Sequence, residues 1–548
     1  MSAPAVYIPS NGERSPEYDQ ALSLSLFPGL YDLAKVTAPL LAKPGARGRK
    51  SPYGPECLLL AVIVARVIGS TLGGIRLLSA EGLWERCMHN VALMTDREGL
   101  PATPPNRAQI QYFRDKIAAS PEVQAEMEQV FRRGALAQAQ HLGNLQAGVE
   151  PDWANPARQH VIHGDGTILS PYTDVRSVVH PRTGELIALG SRAASYATAR
   201  IPKGCFDNLA DGKSARGTNF VSMHTWTRAG RVVLGNATAA GSELWAALEL
   251  TEAIAEQADG GVHTLVYDRA VSGWPVDFLM GKHRVQVLGK AVGRSSRTTR
   301  SAEDDWDVDN DAQAEVTWVK DRAERLAAEY DAEPTPAVVQ ILRQDVLATI
   351  FYDKQPQPVG TSLYKTSRGF DVVFSKHWPV PAASHNTPDG SCDHELVVDD
   401  AALFAVGNHP RDDYDVKLAH IPCASSRGSR RADGLWRRVS TYVIPCVQGD
   451  FLYTRTWEPN GTFHGPDSPK ASRTPSDRAE ADLRPLSRAD KDRFDDVFSR
   501  RNDSESYNEW FQKTLPHHGR VGTETLPAQQ LDFLSAAVLN NALTWDRR

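Results

Sequence analysis

Hydrophobic and polar positions divide the chain into stretches of different period. Through residues 1–150 the apolar positions recur at helical spacing. The run Glu56 to Leu78 is the plainest case, interrupted near Gly69 and Gly73–Gly74. A second helix is predicted after Thr103-Pro104-Pro105-Asn106, through Gln109 to Ile117. A third follows Ser120-Pro121, where proline at the first helical position and Glu122 suit a helix start. Beyond residue 160 the period shortens to two. Val161 to Leu169 reads as a strand. From Asn219 to Thr227 the chain alternates, with Phe220, Ser222, His224 and Trp226 on one face and Val221, Met223 and Thr225 on the other. Arg228-Ala229-Gly230-Arg231 then turns into a strand over Val232 to Thr238, a hairpin signal.

Helical spacing returns from Gly241-Ser242-Glu243 to Gln257, with Ser242 a natural N-cap. A continuous apolar strand is expected at Val262 to Tyr267, a helix at Trp274 to Gly281 and a strand at Val285 to Leu288. An antiparallel meander leading into βαβ units predicts an α/β fold: a mixed sheet with flanking helices. Between about 295 and 485 an acidic run (Glu303, Asp304, Asp305, Asp307, Asp309, Asp311) precedes expected helices at Ala312–Tyr330 and Thr335–Thr349. Short β-type runs follow at Asp371–Ser375, Glu395–Val398, Val416–Ile421, Arg438–Val443 and Phe451–Trp457. The polar stretch Pro459 to Ala479 reads as a linker, and helix resumes at Gln529 to Leu543. This gives four segments: a helical N-terminal region (1–155) with a possible DNA-binding role, the first part of the mixed-sheet core (156–294), a β-rich insertion (295–484), and C-terminal helices completing the core (485–548).

Composition changes this picture little. At 548 residues, 41% hydrophobic and 23% charged, the chain is of ordinary globular type and too long for one core. A net charge of −6 does not favour a nucleic-acid partner, so any such partner must be argued from local basic clusters. Six cysteines without CxxC spacing are expected to be reduced and mostly buried, and His385, Cys392, His394, Cys423 and Cys446 form a candidate zinc set. The start of the chain has no basic region followed by an apolar core, so a cytoplasmic location is expected. The most apolar run, Cys57 to Ile68, falls short of the roughly 20 residues that cross a bilayer, so no membrane partner is expected.

The candidate chemistry lies in three carboxylates. Asp165 follows the apolar entry of His-Val-Ile-His-Gly-Asp-Gly-Thr, Asp268 ends Val-His-Thr-Leu-Val-Tyr-Asp, and Glu505 starts a helix after Phe-Ser-Arg-Arg-Asn-Asp-Ser. Carboxylates suit Mg²⁺, a hard ion that prefers oxygen, and two such ions can activate an attacking hydroxyl and stabilise a leaving phosphodiester oxygen. Arg501 sits one turn before Glu505, and Glu509 one turn after it. Buried structural roles are expected for His163, His224 and His263. Trp274 is a core residue by the same reasoning, with base stacking the alternative. Basic segments at Lys282–Arg300, including Lys290 and Arg294, and at Arg427–Arg438, including Arg430, Arg431, Arg437 and Arg438, are candidates for phosphate contact.

The His-Gly-Asp-Gly-Thr strand, the Phe220–Thr238 hairpin, the Tyr-Asp-Arg strand end and the Arg-x3-Glu helix together resemble a DDE transposase of bacterial insertion sequences, in the branch with a β-rich insertion before the final Glu. That branch carries a Tyr-x2-Arg-x3-Glu-x6-Lys signature, onto which Phe498, Arg501, Glu505 and Gln512 fall here. Phe498 lacks the hydroxyl, and Lys513 stands one position late, about 100° around the helix. The resemblance implies an RNase H-like core, Asp165, Asp268 and Glu505 as catalytic metal ligands, and Mg²⁺, with Mn²⁺ substituting. It further implies DNA contacts from residues such as Arg501 and Lys513, and double-stranded DNA (transposon ends and target) held by a homodimer associated with the nucleoid. A catalytically inactive DNA-binding descendant and a stand-alone metal-dependent nuclease stay open as alternatives.

Overall fold

A computed structural model provides the coordinates. It describes residues 15–41, 51–67, 71–80, 82–171, 218–239, 243–267, 271, 274–289, 390–399, 401–409, 412–458, 483–514, 520–521 and 525–547, with the further short strands named below and parts of 321–325. The chain is mixed α/β and falls into two compact units. One comprises residues 1–149, 158–271 and 499–548; the other comprises 150–157 and 272–498.

The first unit opens with helices α1 (Pro16–Ser25), α2 (Pro28–Thr37), α3 (Pro55–Val67), α4 (Thr71–Leu78), α5 (Leu83–Thr95), α6 (Arg107–Ala118) and α7 (Pro121–His141). The expected break near Gly69 lies outside the described residues, and the one expected at Gly73–Gly74 is not formed, because both glycines lie within α4. Asn106 caps α6 with a full capping box to Gln109, which satisfies two of the amides that a helix start leaves free. Helix α3 is buried on nearly every side, as its uninterrupted Cys57–Ala65 run requires.

Strand β1 (Val161–Pro171) follows. Two short hairpins, β2 (Arg176–Val179) with β3 (Leu186–Leu189) and β4 (Phe206–Asn208) with β5 (Ser214–Arg216), precede the long hairpin of β6 (Thr218–Thr227) and β7 (Gly230–Thr238). Helix α8 (Glu243–Gln257) then leads to β8 (Thr264–Val266). Within this unit the sheet runs β7-β6-β1-β8, antiparallel through the first three strands and parallel between β1 and β8.

Two C-terminal helices close this unit: α11 (Arg501–Thr514) and, after the two-residue strand β21 (Arg520–Val521) paired with the end of β1, α12 (Leu526–Asp546). Asn541 of α12 accepts a hydrogen bond from the Val233 amide (2.8 Å) and donates to its carbonyl (2.9 Å), so a side chain covers the open edge of β7. Arg66 of α3 and Asp532 of α12 form a two-pronged ion pair in the interior.

The second unit begins, after residues 150–157, with α9 (Trp274–His283) and the short β9 (Gln286–Leu288). An eight-stranded antiparallel sheet follows in the order β12 (Ser362–Lys365), β13 (Asp371–Lys376), β11 (Val346–Phe351), β10 (Val338–Arg343), β17 (Asp412–Ile421), β16 (Ala402–His409), β15 (Gly390–Asp399), β14 (Trp378–Thr387). A second sheet holds β18 (Cys423–Arg430), β19 (Trp436–Ile444) and β20 (Phe451–Trp457), and helix α10 (Lys491–Phe498) ends the unit. Leu396, Val398, Leu403 and Ile421 of the large sheet share one core with Cys423, Tyr442 and Ile444 of the small one.

One element departs from expectation. In place of the helix expected across 335–349, the described residues 338–343 and 346–351 are the two strands of a hairpin. The apolar pairs Val338-Val339, Ile341-Leu342, Val346-Leu347 and Ile350-Phe351 fit a helical stripe as well as a two-sided strand. The pairing of β10 with β17 and of β11 with β13 decides the matter. The helix expected at 312–330 and the linker at 459–479 lie outside the described residues, apart from Asp321, Glu324 and Arg325, which carry helical backbone.

Candidate functional site

Asp165 lies in β1, and its position follows from the two glycines around it. Alternate residues of a strand face opposite sides. On the side away from Asp165 the sheet is crowded. A Cβ at Gly164 would come within 2.4 Å of the Met223 sulfur and 2.9 Å of the Tyr267 ring, and one at Gly166 within 2.6 Å of the Glu243 carboxylate carbon. At Gly164 the Tyr267 ring leaves no room for a side chain, whereas at Gly166 the neighbour is the flexible end of Glu243. The Tyr267 hydroxyl donates to Glu243 Oε1 at 2.9 Å, tying α8 to the chain just beyond β8.

On the other side β1 meets α11. Ser504, Tyr507, Asn508 and Phe511 form the buried stripe of that helix, at the three- and four-residue spacing of one face. Tyr507 packs edge-on to His224 (4.7 Å between centroids) and Phe511 against Phe533. This docking sets the polar contacts. The Asn508 amide donates to Asp165 Oδ2 (3.1 Å) and to the Gly166 carbonyl (3.3 Å), and the Gln512 amide donates to the Thr167 hydroxyl (3.2 Å). Arg501 Nη2 lies 3.6 Å from Asp165 Oδ1 and 3.3 Å from Glu505 Oε1. The structure therefore brings Asp165 and Glu505, far apart in sequence, around one cation position. Asp165 is mostly enclosed, with 14% of its side chain exposed, whereas Glu505 is 51% exposed.

The charged flank of α11 continues this site. Arg231 donates to Ser506 and lies over the rings of Trp226 (5.9 Å) and Tyr507 (5.6 Å). Burial pushes the Asp503 carboxyl above its ordinary value, against the pull of Arg500 and Arg231. His163 and His224 face each other inside the sheet, and burial holds both neutral, His163 at about 3 and His224 well below its ordinary value. Neither ring is placed to hold a ligand at the surface.

Other expected site residues fall in different surroundings. Lys513 pairs with Glu509 at 2.6 Å on the exposed side of α11, so the shifted lysine and the alternative acid neutralise each other. Gln512, where the family signature has lysine, instead binds β1. In the second unit Arg431 and Arg437 pair with Glu458, and Arg430 lies over the Trp436 ring at 5.9 Å. Arg438 is 4% exposed and donates to the Leu483 carbonyl, with its guanidinium over Trp457. It is therefore removed from the candidate phosphate contacts: its inward strand position puts it in the core. Trp274 begins α9 and packs on Phe278. Asp268, Lys290 and Arg294 lie outside the described residues.

Asn508 is the site residue that sequence reasoning missed. The signal was present, since Asn508 stands seven residues after Arg501, two turns along the same face. Compared with protein-family models, curated proteins and solved structures, the chain matches none.

Proposed function

We propose that the chain is a DDE-type transposase with an RNase H-like core, cutting double-stranded DNA and joining its 3′ end to a target in a metal-dependent reaction. The observation that carries the reading is the shared cation position: Asp165 and Glu505 converge on one Arg501 nitrogen. Register supports the third ligand. Val161 pairs with Thr264, Ile162 with Leu265 and His163 with Val266, an offset of 103 residues (264 − 161), and Asp165 and Asp268 are separated by the same 103 (268 − 165).

The donor set fits Mg²⁺ or Mn²⁺. Its atoms are hard carboxylate oxygens, and a guanidinium already takes the place of a cation between two of them. Asp165, Asp268 and Glu505 would hold the metal, which when bound supplies activation of the attacking hydroxyl and neutralisation of charge at the phosphorus. Asn508 holds Asp165 Oδ2 and leaves Oδ1 aimed at the cation position. Arg501, positioned by both carboxylates, is the candidate phosphate contact nearest the reacting atoms. On this reading the protein acts as a homodimer at two DNA ends, in the cytoplasm and on the nucleoid; no helix among the described residues is long and apolar enough to cross a membrane.

The test is cleavage and joining of DNA carrying the sequences that flank the gene, in Mg²⁺ and in Mn²⁺. Asp165→Asn, Asp268→Asn and Glu505→Gln should each abolish both steps while leaving DNA binding in a gel-shift assay. Cleavage retained in all three variants would falsify the assignment. A second reading, a DNA-binding protein that has lost catalysis, is favoured by one observation: Gln512 and the Glu509–Lys513 pair leave the signature's lysine without its charge at that position. Binding of the ends with no cleavage in Mn²⁺ would select it. Cutting without joining would select a stand-alone nuclease.

A further inference from the structure

Strand β15 supplies the second unit's core with Leu396 and Val398, which face inward. Two and four residues earlier on the same face of the strand stand His394 and Cys392. Strand β19 does the same from the small sheet. Tyr442 and Ile444 are core residues, and Cys446 follows two positions later, in the loop to β20. Two inward-facing rows of apolar residues thus both end in metal-binding residue types, and they end together. The ligand atoms of Cys392, His394 and Cys446 all lie within 4.8 Å of one another, and the two sulfurs are 3.6 Å apart. Both cysteines are free thiols. His394 Nε2 is buried with no hydrogen-bond partner, which costs free energy unless something occupies that lone pair or proton.

We propose that Cys392, His394 and Cys446 bind a zinc ion that fastens the small sheet of this unit to the large one. Softness selects the metal, because two thiolates and an imidazole favour zinc over magnesium or calcium. Dimensions agree as well. Zinc–sulfur bonds of about 2.3 Å at a tetrahedral angle separate two sulfurs by about 3.8 Å, close to the 3.6 Å seen. The loop is shaped to present Cys446: its amide donates to Asp450 Oδ1 and its sulfur accepts from the Gln448 amide, a contact that stabilises a thiolate. The fourth ligand is water, and substitution of His385, whose backbone pairs with Cys392 in the β14–β15 register, tests that assignment. Cys423, the remaining cysteine of the second unit, is not part of the cluster, because it is buried in the core with its sulfur against the Ser425 carbonyl.

The proposal does not depend on the transposase reading, since the carboxylate site lies in the other unit. To test it, the full chain is expressed with zinc, purified without chelator under reducing conditions, and its metal content measured by mass spectrometry. About one zinc per chain is expected. Cys392→Ser, His394→Ala and Cys446→Ser should each lower it at least about tenfold, and Cys423→Ala should not. In the reduced, zinc-stripped wild type, added Co²⁺ should give thiolate-to-cobalt charge-transfer absorption, which Cys392→Ser or Cys446→Ser removes. This second readout is taken on the wild type and so survives any variant that fails to fold. If His385→Ala also loses zinc, His385 is the fourth ligand; if it retains zinc, water is. Wild-type protein that carries no zinc and gives no such absorption with Co²⁺ overturns the proposal, as does a Cys392–Cys446 disulfide in the reduced preparation.

Discussion

Replacing Asn508 by alanine tests whether α11 is docked on β1 as the site requires. Asn508 is 7% exposed and donates to Asp165 Oδ2 at 3.1 Å. A hydrogen bond to a charged group contributes about 1.5–3 kcal/mol. Asp165 keeps 14% of its surface in water and retains Arg501, so solvent replaces part of the loss. The expected coupling between Asn508 and Asp165 is therefore at the lower end, about 1–2 kcal/mol. A cycle of wild type, Asn508→Ala, Asp165→Ala and the double variant isolates that pair, because the second bond, from Asn508 to the Gly166 carbonyl, is present or absent equally in both backgrounds. The suitable readout is the local opening free energy of residues 501–514 by native-state amide exchange. A coupling below about 0.5 kcal/mol would be indistinguishable from independent sites, and would refute the placement of α11 that brings Glu505 to Asp165.

Three further outcomes follow from the same structure. Gly164→Ala should destabilise the first unit by about 1–3 kcal/mol, since its Cβ would strike Met223 and Tyr267; partial recovery in Gly164→Ala/Met223→Ala, read by thermal melting, would confirm the cause, and an unchanged melt would disprove it. Arg66→Met should cost up to about 3 kcal/mol by removing the ion pair of Asp532, which is 1% exposed and keeps the charge of Arg114 nearby; Arg66→Met/Asp532→Leu should regain part of it, and denaturant melts in which the double variant is no better than the single would count against a buried pair. His163, with a folded value near 3, sits below the usual imidazole value of about 6.5, so the unfolded chain binds the proton first. The His163 contribution should therefore be full above about 6.5 and fall by up to ~1.4 kcal/mol per pH unit below it, ending near the folded value, and His163→Gln should reduce the slope of denaturant melts between these limits by that share while His224 keeps its own.

Legibility in the sequence tracked how local the determining physics is. The alternation from Asn219 to Thr227, the proline start of α7 and the apolar run of α3 each specify an element through their own residues, and each element is present. Residues 335–349 failed because doublets of apolar residues satisfy both periods, and strands distant in sequence settle the choice. The glycines beside Asp165 were visible as a motif, but their reason was not. Met223, Glu243 and Tyr267, which crowd that face, come from β6, from α8 and from the chain just past β8. Asn508 shows the same limit, since its meaning depends on which face of α11 docks. That face is set by Tyr507 and Phe511 rather than by any charge.

The two halves of the candidate site therefore rest on different forces. Asp165 is carried by a central strand paired on both sides, with β6 and β8, so its position does not depend on a metal. Glu505 is half exposed on a helix and is held by Arg501, whose charge stands where a metal would. On the proposed reading, loading the site with metal would displace that guanidinium, and its destination would be the phosphate of an arriving DNA strand. Metal and DNA should then bind with positive coupling, each relieving the cost of the other. Arg501→Gln separates the two effects: it should tighten Mn²⁺ binding in the absence of DNA and weaken DNA binding. Titration calorimetry of the variant measures the first directly, and Mn²⁺ affinity unchanged or weaker than in the wild type would show that Arg501 does not hold the metal's place.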